Sequence, residues 1–182
     1  FYAIRRYERL PGQWNIAAIA PLEKHNGRPG CAGFRPVCLL DPCGKWHQKA
    51  LWGRRRGGSS AYSFGFVPGR RREEAILVIG SVIAMQNAAA RTWGLALLDM
   101  ANAFPSLCWA AADAHIRRVA DRPDADLLCG RHRPASLMVR GSEGSVCWEE
   151  PSCGTMQGDT PAPAVLPCAV DTAPGAAVGL PL

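Results

Sequence analysis

GLALLDMANAFPSLCW, residues 94–109, carries an apolar run into a single acid and then straight into a helical pattern. The run does not alternate, as in a strand buried on both faces. It therefore predicts a strand over 92–100 with Asp99 near its end, followed by a helix over about 107–120. Burying an unpaired carboxylate costs roughly several kcal/mol, so Asp99 needs a helix end to cap, an Arg partner or a metal ion. Taken alone, the stretch favours the cap.

Local signals divide the rest of the chain. A basic helix over residues 1–10 closes at Pro11-Gly12, and apolar stretches at 14–22 and 34–40 form a hairpin with a basic, Gly/Pro-rich tip. Asp41 caps a helix that ends near residues 54–58, and Pro68-Gly69 opens a longer helix to about residue 90, with Glu73 and Glu74 in its early turns. A short helix is expected over 124–132, and residues 136–140 and 145–149 pair as a second hairpin. A turn over 152–158 leads to a tail rich in Pro and Ala, where interior prolines should kink or break any helix.

The 182 residues, 48% hydrophobic and 20% charged, describe a globular chain with a real core rather than a disordered one. Net charge is +6 but unevenly spread: residues 1–91 carry +10 and residues 92–182 carry −4. The basic half points to a polyanion partner, since each Lys or Arg set on a phosphate releases a counterion. Eight cysteines without a CxxC pair or a signal peptide fit reduced thiols and an intracellular setting, the nucleus among the options. Neither Cys38, Cys43 and His47 nor Cys129 with His132 has the spacing of a zinc finger. The longest apolar run, over 75–85, is shorter than the ~20 residues a bilayer span needs.

Four motifs in order then change the reading of Asp99. Residues 98–104, LDMANAF, resemble the first catalytic palm motif of reverse transcriptases, most closely the non-LTR retrotransposon and group II intron types. Upstream, IAPLEK at 19–24 followed by FRPV at 34–37 resembles the fingers segment of that family, and FGFVPGR at 64–70 resembles its Gly-Phe-x-Pro-Gly-Arg turn. Downstream, GTMQGD at 154–159 resembles the Gly-x-x-Gln-Gly-Asp turn of the second palm motif. Each motif is weak alone, whereas the ordered set covers most of the chain.

The resemblance implies an α+β fold: the fingers and partial palm of a right-hand polymerase. Residues 1–91 would be the basic fingers-like region, 92–163 the partial palm and 164–182 a degenerate Pro/Ala-rich tail. It implies RNA-templated DNA synthesis by two-metal nucleotidyl transfer, with RNA template, DNA primer and deoxynucleoside triphosphates as partners and two Mg2+ ions in the complete enzyme. Asp99 is then the catalytic metal ligand, aided by the Met100 backbone carbonyl. Lys24 and Arg35 hold the triphosphate, where an Arg fork suits phosphate geometry. Phe104 gates the sugar, and Gln157 with Gly158 lies against the nascent pair. The Arg runs at 54–56 and 70–72 would grip template or primer phosphates.

The resemblance also implies what is missing. The family's aromatic-x-Asp-Asp hairpin, which supplies the remaining catalytic acids, does not occur in this sequence, and by motif order it would lie beyond Leu182. The chain is therefore expected to be a fragment, unable to polymerise by itself. Two rival readings stand beside this one: a non-catalytic RNA-binding remnant of a decayed retroelement, and an unrelated α/β domain in which Asp99 is only a cap.

Overall fold

The computed structural model describes residues 1–25, 27–57, 63–97, 99–100, 102–133, 135–141 and 143–171, with side chains described to residue 167. Its strands are β1 (Ile16–Glu23), β2 (Phe34–Leu40), β3 (Ser136–Arg140) and β4 (Val146–Glu149). The helices are α1 (Tyr2–Tyr7), α2 (Pro42–Gly53), α3 (Arg72–Ala88), α4 (Trp109–Val119), α5 (Arg122–Cys129) and α6 (Ala162–Asp171). The fold is α+β, built on one mixed sheet in the order β2-β1-β3-β4.

Both expected hairpins are present. β1 and β2 pair antiparallel from Ala17↔Leu40 to Glu23↔Phe34, and β3 pairs antiparallel with β4. β3 joins the first hairpin as a parallel neighbour of β1, from Ile16↔Ser136 to Ile19↔Val139. Pro21 faces Pro36 across the β1–β2 ladder, beyond the stretch of β1 that pairs with β3. Neither proline therefore removes a donor from the sheet interior.

Asp41 caps α2 as expected, its Oδ1 accepting the Gly44 N–H at 2.9 Å. The α4 and α5 helices bury one face each: Ala112, Ile116 and Val119 from α4, with Ala125, Leu127 and Leu128 from α5. Leu51 and Trp52 of α2 and Val165 of α6 complete this helical core. A smaller cluster of Ala17, Cys38, Ala135 and Met156 lies against the sheet. Helix α3 forms where expected, yet none of its residues is buried. Its apolar side chains point all round the axis, so its pattern selects no face to bury.

One expectation fails and another is narrowed. The strand over 92–100 does not form: residues 92–97, 99 and 100 have no regular secondary structure and are exposed. An extended segment becomes a strand only by pairing, and the outer edge of β2 is already engaged where Cys38 donates its N–H to the Gln157 carbonyl at 2.8 Å. In the tail, α6 runs through Pro167 instead of breaking there. Pro163, in its first turn, removes only a donor that has no intrahelical partner.

Among the described residues no helix is long and apolar enough to cross a membrane. The seven cysteines whose side chains are described are free.

Candidate functional site

Three segments far apart in sequence meet at one open cleft of about 710 Å3. The β1–β2 hairpin contributes Lys24, Arg28 and Arg35; the irregular stretch after α3 contributes Asp99, Met100, Asn102 and Phe104; the turn before α6 contributes Gln157. Of the residues assigned by motif, Lys24, Arg35, Asp99, Met100, Phe104 and Gln157 all line this cleft. Gly158 adjoins it in sequence, although it is not among the lining residues.

Hairpin register places the cations. Arg35 stands opposite Leu22, two residues before Lys24, so both basic side chains belong to the tip end of the hairpin. The Lys24 backbone N–H donates to the Gly33 carbonyl at 2.8 Å, and its Nζ donates to the Ala32 carbonyl at 3.2 Å. Lys24 is thus held half-buried at the cleft wall, with ammonium protons left for a ligand. Arg35 is exposed.

Phe104 is half-buried and meets Phe66 edge-on, their ring centroids 6.4 Å apart. This contact joins the 64–70 turn to the 98–104 motif, two of the segments singled out by resemblance. The Phe104 carbonyl accepts the Thr155 N–H at 2.8 Å, and the Gly154 N–H reaches the Leu107 carbonyl at 2.6 Å. The 154–157 loop is thereby strapped to the 104–107 stretch, and Gln157 is carried to the cleft.

The Gln157-Gly158 turn also lies flat on β2. Gly158 has φ +115°, and a Cβ there would come within 2.9 Å of the Cys38 carbonyl oxygen. Glycine is needed for both reasons.

Behind Gln157 a second cavity of about 130 Å3 is lined by Ile19, Cys38, His132, Leu137 and Met156 among others. Burial pushes the Cys38 thiol up and the His132 imidazole down, so both are neutral near pH 7. The cavity is an apolar recess, not a second charged site.

Charge decides what the cleft can hold. Among the described residues its lining combines the cations Lys24, Arg28 and Arg35 with a single acid, Asp99. Such a lining attracts anions more than cations. Asp99 is exposed and ends no strand, which corrects the expectation of a carboxylate fixed at the end of a buried one. The nearby Asp159 is 2% exposed and bound to Arg131, turned into the core rather than into the cleft. Among the described residues no group of three or more His, Cys, Asp or Glu side chains is placed to hold a metal ion.

The Arg runs are largely engaged within the protein. Arg54 pairs with Asp124 at 2.9 Å, Arg56 with Asp121 at 3.1 Å, and Arg72 with Glu73 at 3.3 Å. Arg55 lies 4.8 Å over the Trp52 ring, and Arg70 donates to the Ser63 carbonyl at 2.6 Å.

Reasoning from sequence did not single out Arg28, Asn102 or Arg131. Arg28 sits in the hairpin tip, whose basic character was visible; no sequence signal marks Arg131, which follows α5 in a short turn. No protein-family model matches the chain, and no curated protein matches it.

Proposed function

We propose that this chain is the fingers and partial palm of a reverse transcriptase, and that its cleft receives the triphosphate of a deoxynucleotide. The observation that carries this reading is the convergence of Lys24, Arg35, Asp99, Met100, Phe104 and Gln157 on one cleft. The four motifs lie in separate stretches of the sequence, and their residue types alone do not require them to share a cavity.

In the parent enzyme the reaction is RNA-templated DNA synthesis. Lys24 and Arg35 neutralise phosphate oxygens, Phe104 lies beside the sugar, and Gln157 approaches the forming base pair. Asp99 and the Met100 carbonyl would be this chain's ligands to magnesium, which would align the attacking hydroxyl and the leaving phosphate oxygen if further carboxylates completed its site. The 182-residue chain therefore binds the nucleotide without extending a primer.

Titration of the chain with a deoxynucleoside triphosphate tests the reading. Lys24→Ala and Arg35→Ala should each weaken binding about tenfold, the scale of one charge-assisted contact in an open cleft. Absence of binding, or affinity indifferent to both substitutions, would sink it.

The excess of cations over Asp99 in the cleft favours one alternative, a non-catalytic RNA-binding remnant. In that case RNA competes with the triphosphate, its affinity falls steeply with salt, and Asp99→Ala leaves RNA binding intact or stronger.

A further inference from the structure

We infer that Arg131 is a positioning residue for the cleft, acting through Asp159 on the Gln157-Gly158 turn; its consequence for ligand binding rests on the triphosphate reading above. Arg131 does not line the cleft. It is fully buried in the turn after α5, and its side chain joins two distant parts of the chain. Its Nε donates to Asp159 Oδ2 at 2.9 Å, and its Nη1 donates to the Trp14 carbonyl at 2.9 Å. The other Asp159 oxygen accepts the Thr160 N–H at 2.9 Å.

Asp159 immediately follows the turn that carries Gln157. On the opposite side the Gln157 carbonyl takes the Cys38 N–H of β2 at 2.8 Å. The turn is held from both directions: by the sheet edge before Gly158 and by the Arg131 fork after it. Gly44 packs closely on the same guanidinium, since a Cβ there would lie 3.0 Å from Arg131 Nη1 and 2.9 Å from Trp14 Cγ. The fork therefore has little room to shift.

Stability alone is a poor reason for this arrangement. Both side chains of the pair are 0% exposed, and a buried ion pair commonly gives no more stability than well-packed apolar residues of similar volume. Arg131 Nη2 also lacks a hydrogen-bond partner among the described residues. What an apolar pair would not reproduce is direction: two bonds from one rigid plane fix the carboxylate relative to the Trp14 backbone.

The test uses the 182-residue chain with Arg131→Met and Asp159→Leu combined, read by thermal unfolding, by amide exchange at Cys38 and Ile116, and by titration with deoxythymidine triphosphate. We expect the folded variant to lose protection at Cys38 by at least tenfold, to keep it at Ile116 in α4, and to bind the triphosphate at least fivefold more weakly. Unchanged protection at Cys38 in the folded variant overturns the inference. Arg131→Lys serves if the double variant does not fold: a single ammonium keeps the charge but not the fork, so Cys38 should again exchange faster, and full protection overturns the positioning role. If the unaltered chain takes no triphosphate, the reading of the cleft fails while the exchange measurement still decides the role of Arg131.

Discussion

Asp124 shows how much a single carboxylate does in the helical core. Its side chain is 3% exposed, with Arg54 Nε 2.9 Å from one oxygen and Arg5 Nε 3.2 Å from the other. The Arg54 contact is a hydrogen bond, whereas the Arg5 contact has the distance of an ion pair without hydrogen-bond alignment. Both arginines are about half exposed and stay hydrated if the acid is removed. Asp124→Asn should therefore cost only about 1–3 kcal/mol. Removing both arginines leaves the buried charge unpaired, and the double Ala variant should lose about 3–5 kcal/mol. Urea unfolding of the two variants checks the order, and a larger loss for Asp124→Asn would refute it. Nothing in the local sequence marks Asp124 as the hub of α1, α2 and α5. Lys24, Arg35 and Asp99 were legible because they lie in motifs, but Asp124 and Arg131 become visible only when distant segments meet.

At the scale of elements, legibility followed the range of the forces involved. The cap at Asp41, the acids at the start of α3 and the short connection between β3 and β4 are local, and each element formed as its sequence indicates. A strand over 92–100 depended instead on finding a neighbour, and the described residues of that segment pair with no strand of the sheet. The loop that straps residues 104–107 offers a direct test. Gly154 has φ +92°, and a Cβ would stand 2.5 Å from the Pro105 carbonyl oxygen. The Trp109 indole N–H also donates to the Gly154 carbonyl at 2.7 Å, so the loop cannot retreat without losing that bond. Gly154→Ala should destabilise the chain by about 1–3 kcal/mol through backbone strain. It should also expose Trp109, detectable as a change in tryptophan fluorescence. An unaltered unfolding midpoint would show that the strap does not bear on stability.

For the whole molecule, acid is the clearest stress. His47, His115 and His132 are buried, and desolvation is the leading cause holding each below the ordinary imidazole value. Arg118 adds to the effect at His115, whose Nδ1 lies 3.1 Å from Arg118 Nη2. The unfolded chain binds protons at these groups first, so it holds more protons than the folded chain as pH falls below about 6.5. The stability tied to neutral histidines is thus present above that pH and is lost progressively below it. Thermal unfolding at pH 7.5, 6.5 and 5.5 should show a falling midpoint, with a shallower fall in His115→Asn. A midpoint that rises over this range would contradict the burial of neutral histidines.

The sequence by itself determined the elements made by near neighbours, the basic character of the hairpin tip, and the order of motifs that singled out six of the cleft residues. Those features depend on caps, tight turns and residue chemistry within a few positions along the chain. Only the tertiary structure decided that β3 lies beside β1, that residues 92–97, 99 and 100 form no strand, that Asp99 is the one acid among the described residues lining a cationic cleft, and that Arg131 reaches Asp159 beside the turn bearing Gln157. The physical reason is competition for a limited set of partners: sheet edges, buried charges and backbone donors are shared across the whole chain, and which segment obtains them is a property of the assembled fold.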